Sequence, residues 1–356
     1  MTYQGEYYSN NIYGTSNNHK AVVQTVDGAT FLLCELTVTF NGDVWTHTFE
    51  APFFNDEAEL YFENYVHSII TQKFELAGIT MEDYQFYAFG LASINMKLKE
   101  MQQNTLLSEL EHDFFMILGR YDALSMDFLT SGVKRLLPVK NTSFLTEQGL
   151  LSFSFLSTTL PDVLVVDDGV TESEITLPAT ATTAYLHTLT IPVKKVVSGV
   201  SASLALSLKF STGFVIELGT FNIIDGGIGH TVFAYQNLFG ALSIIEFTGE
   251  LEIEKQYKTD EYEFVDGNVV SLNTTAIDTQ NGYSVNTGYL LDVAKYEMLY
   301  SLLKSFNVFI HLEEGLKKMI VNRTQKLNPY RSNYYLNNET LKFKLSKNDD
   351  IHYGIF

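Results

Sequence analysis

The sequence predicts a mainly β protein with a few helices, built from antiparallel β-sandwich-type domains, two of them carrying a packed helix. Three observations predict this. Short segments alternate apolar and polar residues at period two, the signature of half-buried strands. Turn clusters such as Asn41-Gly42, Asp167-Asp168-Gly169 and Asp225-Gly226-Gly227 separate them. Only two segments, opening at Asp56 and Asp292, repeat apolar residues at helical spacing. Hydrophobic residues form 46% of the 356, which supports packed cores and excludes a mainly disordered chain. The expected division is residues 1–119, a β-hairpin plus helix region with following strands; 120–260, a central β-sandwich region; and 261–356, a β-α-β region. With only six prolines and no Ser/Gly-rich linker, these parts pack together rather than hang on tethers.

The first elements are the clearest. Leu36, Val38 and Phe40 alternate with Glu35, Thr37 and Thr39; Asn41-Gly42 supplies a tight turn; Trp45, His47 and Phe49 then alternate with Thr46, Thr48 and Glu50. Upstream, Asp27-Gly28 turns the strand AVVQTV into this hairpin. Asp56 with Glu59 three residues on reads as a helix cap, and Leu60, Tyr61, Tyr65, Val66, Ile69, Ile70 and Phe74 follow near helical spacing. A helix of about 20 residues ending at Ala77-Gly78 is expected. Strands return in SINMKLKEM and FFMILGRY, with QNTLLSELEHD between them readable as a short helix or an irregular strand.

Residues 120–145 are mixed and read as a long connection. From about 146 the chain is strand after strand: GLLSFSFL, DVLVV, ESEITLP, TAYLHTLTIPV, SASLALSLKFS, GFVIELGTFNII and SIIEFTGELEIEKQY. NVVSLNTTAID and GYSVNTG precede a helix capped by Asp292, with Tyr296, Leu299, Leu302, Leu303 and Phe306 on its apolar side. NVFIHL and KKMIVN then flank Glu314-Gly315, and LKFKLS alternates near the end.

Composition excludes several function classes. The formal charge of −19 argues against a nucleic-acid partner, since phosphate binding needs a dense basic face. The single cysteine, Cys34, sits in an apolar run and reads as a buried inert thiol, with no disulfide or clustered-cysteine metal site. The opening residues have no basic and apolar signal regions, and no uninterrupted apolar run reaches the roughly 18 residues of a membrane span.

Chemistry-bearing patterns are sparse. Glu111-His112-Asp113 places three ionisable groups together, but adjacent side chains point to different faces, so a solvated turn is the expected reading. His187 and His311 read as packed or surface histidines. Gly226-Gly227-Ile228-Gly229-His230 lacks the lysine of a phosphate loop and reads as a flexible or bulged connection. Asp167 and Asp168 carry calcium-type oxygen ligands but fit a β-turn better. No G-x-S-x-G elbow or H-E-x-x-H pair occurs. The chain is therefore expected not to be an enzyme, with no catalytic, cofactor or metal residue to nominate.

Aromatic residues are the more informative feature: 21 Tyr and 26 Phe. Two clusters, TYQGEYYSNNIYG at the start and NPYRSNYYLNN at 328–338, mix tyrosine with Asn, Ser, Gly and Arg. As core they would require burying those polar neighbours, so they are expected as surface arms ordered against a neighbouring subunit. The candidate interface residues are Tyr3, Tyr7, Tyr8, Tyr13, Tyr330, Arg331, Tyr334 and Tyr335. Locally packed loops and glycan contact are the other readings of these clusters.

The order of segments resembles a family of tail-associated virion proteins of phages that infect Bacteroidetes. The resemblance rests most on residues 235–312, where Tyr235, Asn237, Phe239, Gly240 and Ala241 form a turn leading to Phe247-Thr248-Gly249, and an Asn-Thr-Gly strand end precedes a helix. It implies a non-enzymatic structural protein of the tail, tail tip, baseplate or neck, synthesised in the host cytoplasm and located in the virion. Its expected partners are copies of itself, in a ring or collar, and other virion proteins, with no cofactor. The alternative is a glycan-binding adhesin contacting the host surface through exposed aromatic residues.

Overall fold

A computed structural model describes residues 1–25, 28–121, 123–127, 132–136, 143–178, 185–197, 203–224, 229–266, 269–313, 315–322, 327 and 338–345; for 254–266, 269–281 and 345 it describes the backbone alone. The protein is mainly β, as the alternation predicts, with described strands falling into five sheets.

The N-terminal region is a six-stranded sheet covered on one face. In it β2 (Asn11–Gly14), β4 (Phe31–Phe40), β5 (Asp43–Pro52), β8 (Ala92–Gln102), β9 (Thr105–Ile117) and β10 (Leu124–Ser125) lie in the order β10-β2-β9-β8-β4-β5. The β4–β5 hairpin turns through Asn41 (φ 50°) and Gly42 (φ 86°), both in the left-handed region that a two-residue turn of this kind requires. Leu32, Cys34, Leu36 and Val38 point to the covered face, where β1 (Thr2–Tyr3), β3 (Ala21–Gln24), β6 (Glu57–Leu60) and helix α1 (Glu63–Gln72) complete the core. The opposite face is wet: Lys99 pairs with Glu35 at 2.7 Å and Lys97 with Glu111 at 3.5 Å.

One expected helix is corrected here. Asn55 (φ 50°) and Asp56 (φ 63°) are both left-handed and reverse the chain, with Phe54 N donating to Glu57 O at 2.8 Å. An N-cap has a negative φ, typically in the β region, and the helix starts seven residues further on, so Asp56 does not cap it. It opens β6 instead, where Ala58 and Leu60 alternate inward with Glu57 and Glu59. The helix begins at Glu63 and spans 10 residues, with Val66, Ile69 and Ile70 buried. The ambiguous QNTLLSELEHD is strand: it belongs to β9, whose pairing with β8 slips between Glu100 and Met101.

The central region is a sandwich. β7 (Gln85–Phe89), β11 (Lys134–Leu136), β13 (Leu150–Leu156) and β16 (Leu186–Pro192) form a four-stranded sheet, and the short helix α2 (Val193–Val196) follows β16. A five-stranded sheet of β12 (Phe144–Thr146), β14 (Val163–Asp167), β15 (Glu172–Thr176), β17 (Ser203–Lys209) and β18 (Val215–Ile224) faces it. Phe153, Phe155, Leu189 and Ile191 of the first sheet pack on Leu164, Val166, Leu206 and Leu208 of the second.

The C-terminal region is a seven-stranded antiparallel sheet ordered β20-β19-β23-β24-β25-β22-β21. Its strands are β19 (Thr231–Gln236), β20 (Leu242–Phe247), β21 (Leu251–Asp266), β22 (Val269–Asn286), β23 (Val308–Leu312), β24 (Gly315–Val321) and β25 (Thr340–Leu345). Helix α3 (Val293–Lys304) buries Leu299 and Leu302 against Phe233, Val308, Ile310 and Phe343. Asp292 caps it as expected, accepting from Lys295 N at 2.8 Å. Phe306, expected on the apolar side, lies past the helix end and is 58% exposed.

Strand pairing divides the chain differently from the 119/120 and 260/261 boundaries. β7 joins the central sheet, while β19 and β20 join the C-terminal one, and residue 260 falls inside β21. The run SIIEFTGELEIEKQY is two strands, parted at 248–250.

β13 and β16 are buried on both faces, which explains their alternate Ser and Thr. β20 is a sheet-edge strand whose backbone groups need partners. Ser152 Oγ accepts from Ile244 N at 2.9 Å and Thr188 Oγ1 from Leu242 N at 3.2 Å, while Ser154 Oγ donates to Leu242 O at 3.2 Å. Hydroxyls thus join the sandwich to the C-terminal sheet.

Candidate functional site

Where those two sheets meet, a buried carboxylate organises the junction. Glu246 of β20 is 6% exposed. Thr146 donates to it from both its amide (3.1 Å) and its hydroxyl (2.8 Å), and His230 Nε2 lies 3.1 Å away. Burial pushes the Glu246 carboxyl up, but the His230 contact, the Lys295 charge and the Thr146 bonds outweigh it and hold it below the usual glutamate range. Lys295, itself buried, is held below the usual lysine value by desolvation, against the opposing pull of Glu246 and Asp292. Asp292 reaches the same seam, accepting from Ser143 N at 2.7 Å. Gly149 leaves room for the carboxylate, since a Cβ there would stand 2.5 Å from Glu246 Oε2.

This cluster holds two acids, one amine and one imidazole, and its geometry fits a structural clasp. The hydrogen bonds to Glu246 come from Thr146 of β12 and His230 before β19, and the charge of Lys295 on α3 adds to their hold on β20. The sequence carried one signal for it: Glu246 is the lone charge within Leu242–Phe247. Lys295 had another, lying four and seven positions before Leu299 and Leu302, on their helix face.

The expected N-terminal arm is corrected. Tyr7 and Tyr13 are 0% and 1% exposed, stacked and edge-on respectively against Phe114. The Tyr7 hydroxyl donates to Glu63 Oε1 at 3.1 Å, and Glu63 also accepts from the amides of Asn18 and His19 at 2.8 and 3.0 Å. Burial, followed by the Glu63 charge, raises the Tyr7 phenol well above its usual value. The polar neighbours escape burial because Glu6, Ser9 and Asn10 stay exposed while the Tyr7 side chain inserts. Tyr3 is half-buried on the ring of His112, and only Tyr8, 57% exposed, faces outward as an interface residue must. Tyr330, Arg331, Tyr334 and Tyr335 lie outside the described residues.

Glu111-His112-Asp113 is also not a turn. It lies within β9, where Glu111 and Asp113 share the wet face and both accept from Asn95 Nδ2, while His112 turns inward. Desolvation lowers the His112 imidazole despite the neighbouring Asp113. Cys34 is fully buried and its thiol is pushed up to about 12 by desolvation, consistent with an inert role. His187 is buried, its Nε2 3.1 Å from Ser157 O. Asp167 and Asp168 form the expected turn, their carboxylates accepting from the amides of Gly169, Val170 and Thr171. Residues 225–228 lie outside the described residues. Among the described residues, no group of three or more His, Cys, Asp or Glu side chains is placed to hold a metal ion.

The most prominent feature is a ribbon. β21 and β22 pair along their whole lengths, from Leu251 with Val285 to Asp266 with Val269. β25 flanks β22 only over 282–286, so from 269 to 281 β22 pairs with β21 alone among the described residues. At ~3.4 Å per residue this distal section is about 40 Å long.

No family model matches the chain, and no curated protein matches it. Among solved structures it is similar to a Ca2+-stabilized adhesin that helps an Antarctic bacterium reach out and bind ice, at 6% identity over 79% of this chain and 70% of that one. The TM-score of 0.16 is too low to carry an argument about fold or function.

Proposed function

We propose that the chain is a non-enzymatic structural protein of a phage virion, part of a tail, tail tip, baseplate or neck, assembled in several copies as a ring or collar. The observation that supports this best is the β21–β22 ribbon. An isolated two-stranded hairpin is marginally stable in water, and each of its long edges presents unpaired backbone donors and acceptors. A ribbon of about 40 Å therefore gains most when laid against another protein surface, by strand addition or by side-chain packing. Reaching from one copy to the next in the same sense makes a head-to-tail contact, which closes into a ring when the rotation permits. The family resemblance of 235–312, which includes all of the ribbon, points the same way.

The test is electron microscopy and sedimentation velocity of the purified full chain over a concentration series. Discrete closed rings support the reading. A chain that sediments as a monomer at every concentration rules out self-assembly as its role.

A further inference from the structure

Two short motifs, Phe247-Thr248-Gly249 and Asn286-Thr287-Gly288, meet face to face. A Cβ on Gly249 would stand 2.4 Å from the Asn286 carbonyl oxygen, and one on Gly288 would stand 2.0 Å from Thr248 Oγ1. Gly288 also has φ 67°. Glycine at both positions lets the two backbones touch. The crossing is locked by bonds from Asn286 N to Glu250 O (2.9 Å), Gly288 N to Asn286 Oδ1 (2.9 Å) and Thr287 N to Glu339 O (2.8 Å). Its other strut is the Glu339 amide, which donates to buried Thr287 Oγ1 at 2.9 Å.

Beside this crossing lies an open groove of about 450 Å³, within the range of small-ligand sites. Its floor is bonded backbone, so little ordering accompanies ligand entry. Tyr289, 54% exposed, stands at its lip. Glu250 and Glu252 flank Leu251, the first residue of β21, and both are exposed; Asn338 and Thr340 line the groove as well. Among the described residues no lysine or arginine lines it.

We propose that this groove binds a neutral saccharide. A phenol ring offers its face to the C–H side of a pyranose, carboxylates accept from vicinal hydroxyls, and the Asn338 amide and Thr340 hydroxyl both donate and accept. Two carboxylates without a basic residue repel an anionic sugar. Among the described residues no three His, Cys, Asp or Glu side chains converge, so the groove offers only two carboxylates to a divalent cation, and the calcium arm of the test separates that occupant. The site is independent of the ribbon's proposed role.

The test is binding of the full chain to an array of neutral oligosaccharides of glucose, galactose, mannose and N-acetylhexosamines. Hits are followed by titration calorimetry, with calcium chloride alone as a separate arm. Tyr289→Ala and Glu250→Gln are each expected to weaken binding about tenfold, the scale of one stacking or charged contact. Both positions are exposed, so thermal unfolding and sedimentation should match the parent. The proposal is overturned by no array binding, by binding that survives both substitutions, or by a calcium response without a saccharide one.

Discussion

Replacing Glu246 with alanine removes the acceptor for two Thr146 donors and the His230 contact at one seam. It also leaves buried Lys295 with Asp292 alone, and without the larger opposing pull of Glu246, against its desolvation. Deleting one member of such a buried charged cluster costs about 3–5 kcal/mol, most of it from the groups left behind. With a urea m-value of about 3 kcal/mol/M, the unfolding midpoint should fall by at least ~1 M. Glu246→Gln keeps an acceptor for Thr146 and should lose about 1–2 kcal/mol.

The pH dependence adds a second reading of the same substitution. The folded-state pKa of Glu246 lies below its unfolded value, so its contribution is fully present above the ordinary glutamate value of about 4.3. It disappears as pH falls through the lower folded value. The gap between parent and Glu246→Gln should therefore hold at neutral pH and shrink at more acidic pH. Urea titrations of both proteins from pH 7 to pH 3 measure this. A Glu246→Ala midpoint equivalent to a change within about 0.5 kcal/mol, the level of ordinary surface substitutions, would refute the clasp.

Gly288→Ala should destabilise by about 3 kcal/mol, because the added methyl meets Thr248 Oγ1 in a backbone conformation that disfavours side chains. Chemical denaturation with an unchanged m-value checks it. Tyr7→Phe keeps the ring stacked on Phe114 but deletes the hydroxyl that bonds Glu63, for a loss of about 1 kcal/mol in thermal unfolding. No loss on Tyr7→Phe would mean that the Tyr7–Glu63 bond adds nothing to the packing and strand pairing that hold the N-terminal segment.

The hairpin at 31–52 was legible because its alternation, turn dipeptide and single buried face all agree. The helix capped by Asp292 was legible for the same reason of local consistency. The stretch after Asp56 was not, because EAEL satisfies both a capping pattern and a strand alternation. The turn conformation at 55–56 decided between them. β13 and β16 are legible as strands, but tertiary context hid the role of their serines and threonines, which look solvent-facing in sequence but bond the edge of another sheet. Tyr7 was misplaced by composition: its neighbours are polar, yet one side chain inserts while the rest stay out. Glu246 and Lys295 are 49 residues apart in sequence, and only the fold brings them together.

The central claim is that the β21–β22 ribbon holds copies of the chain together. The direct measurement is sedimentation velocity of the full chain beside a variant in which residues 256–280 are replaced by a two-residue turn. The expected result is a concentration-dependent oligomer for the full chain and a folded monomer with unchanged thermal unfolding for the variant. Equal assembly by both proteins would contradict the claim.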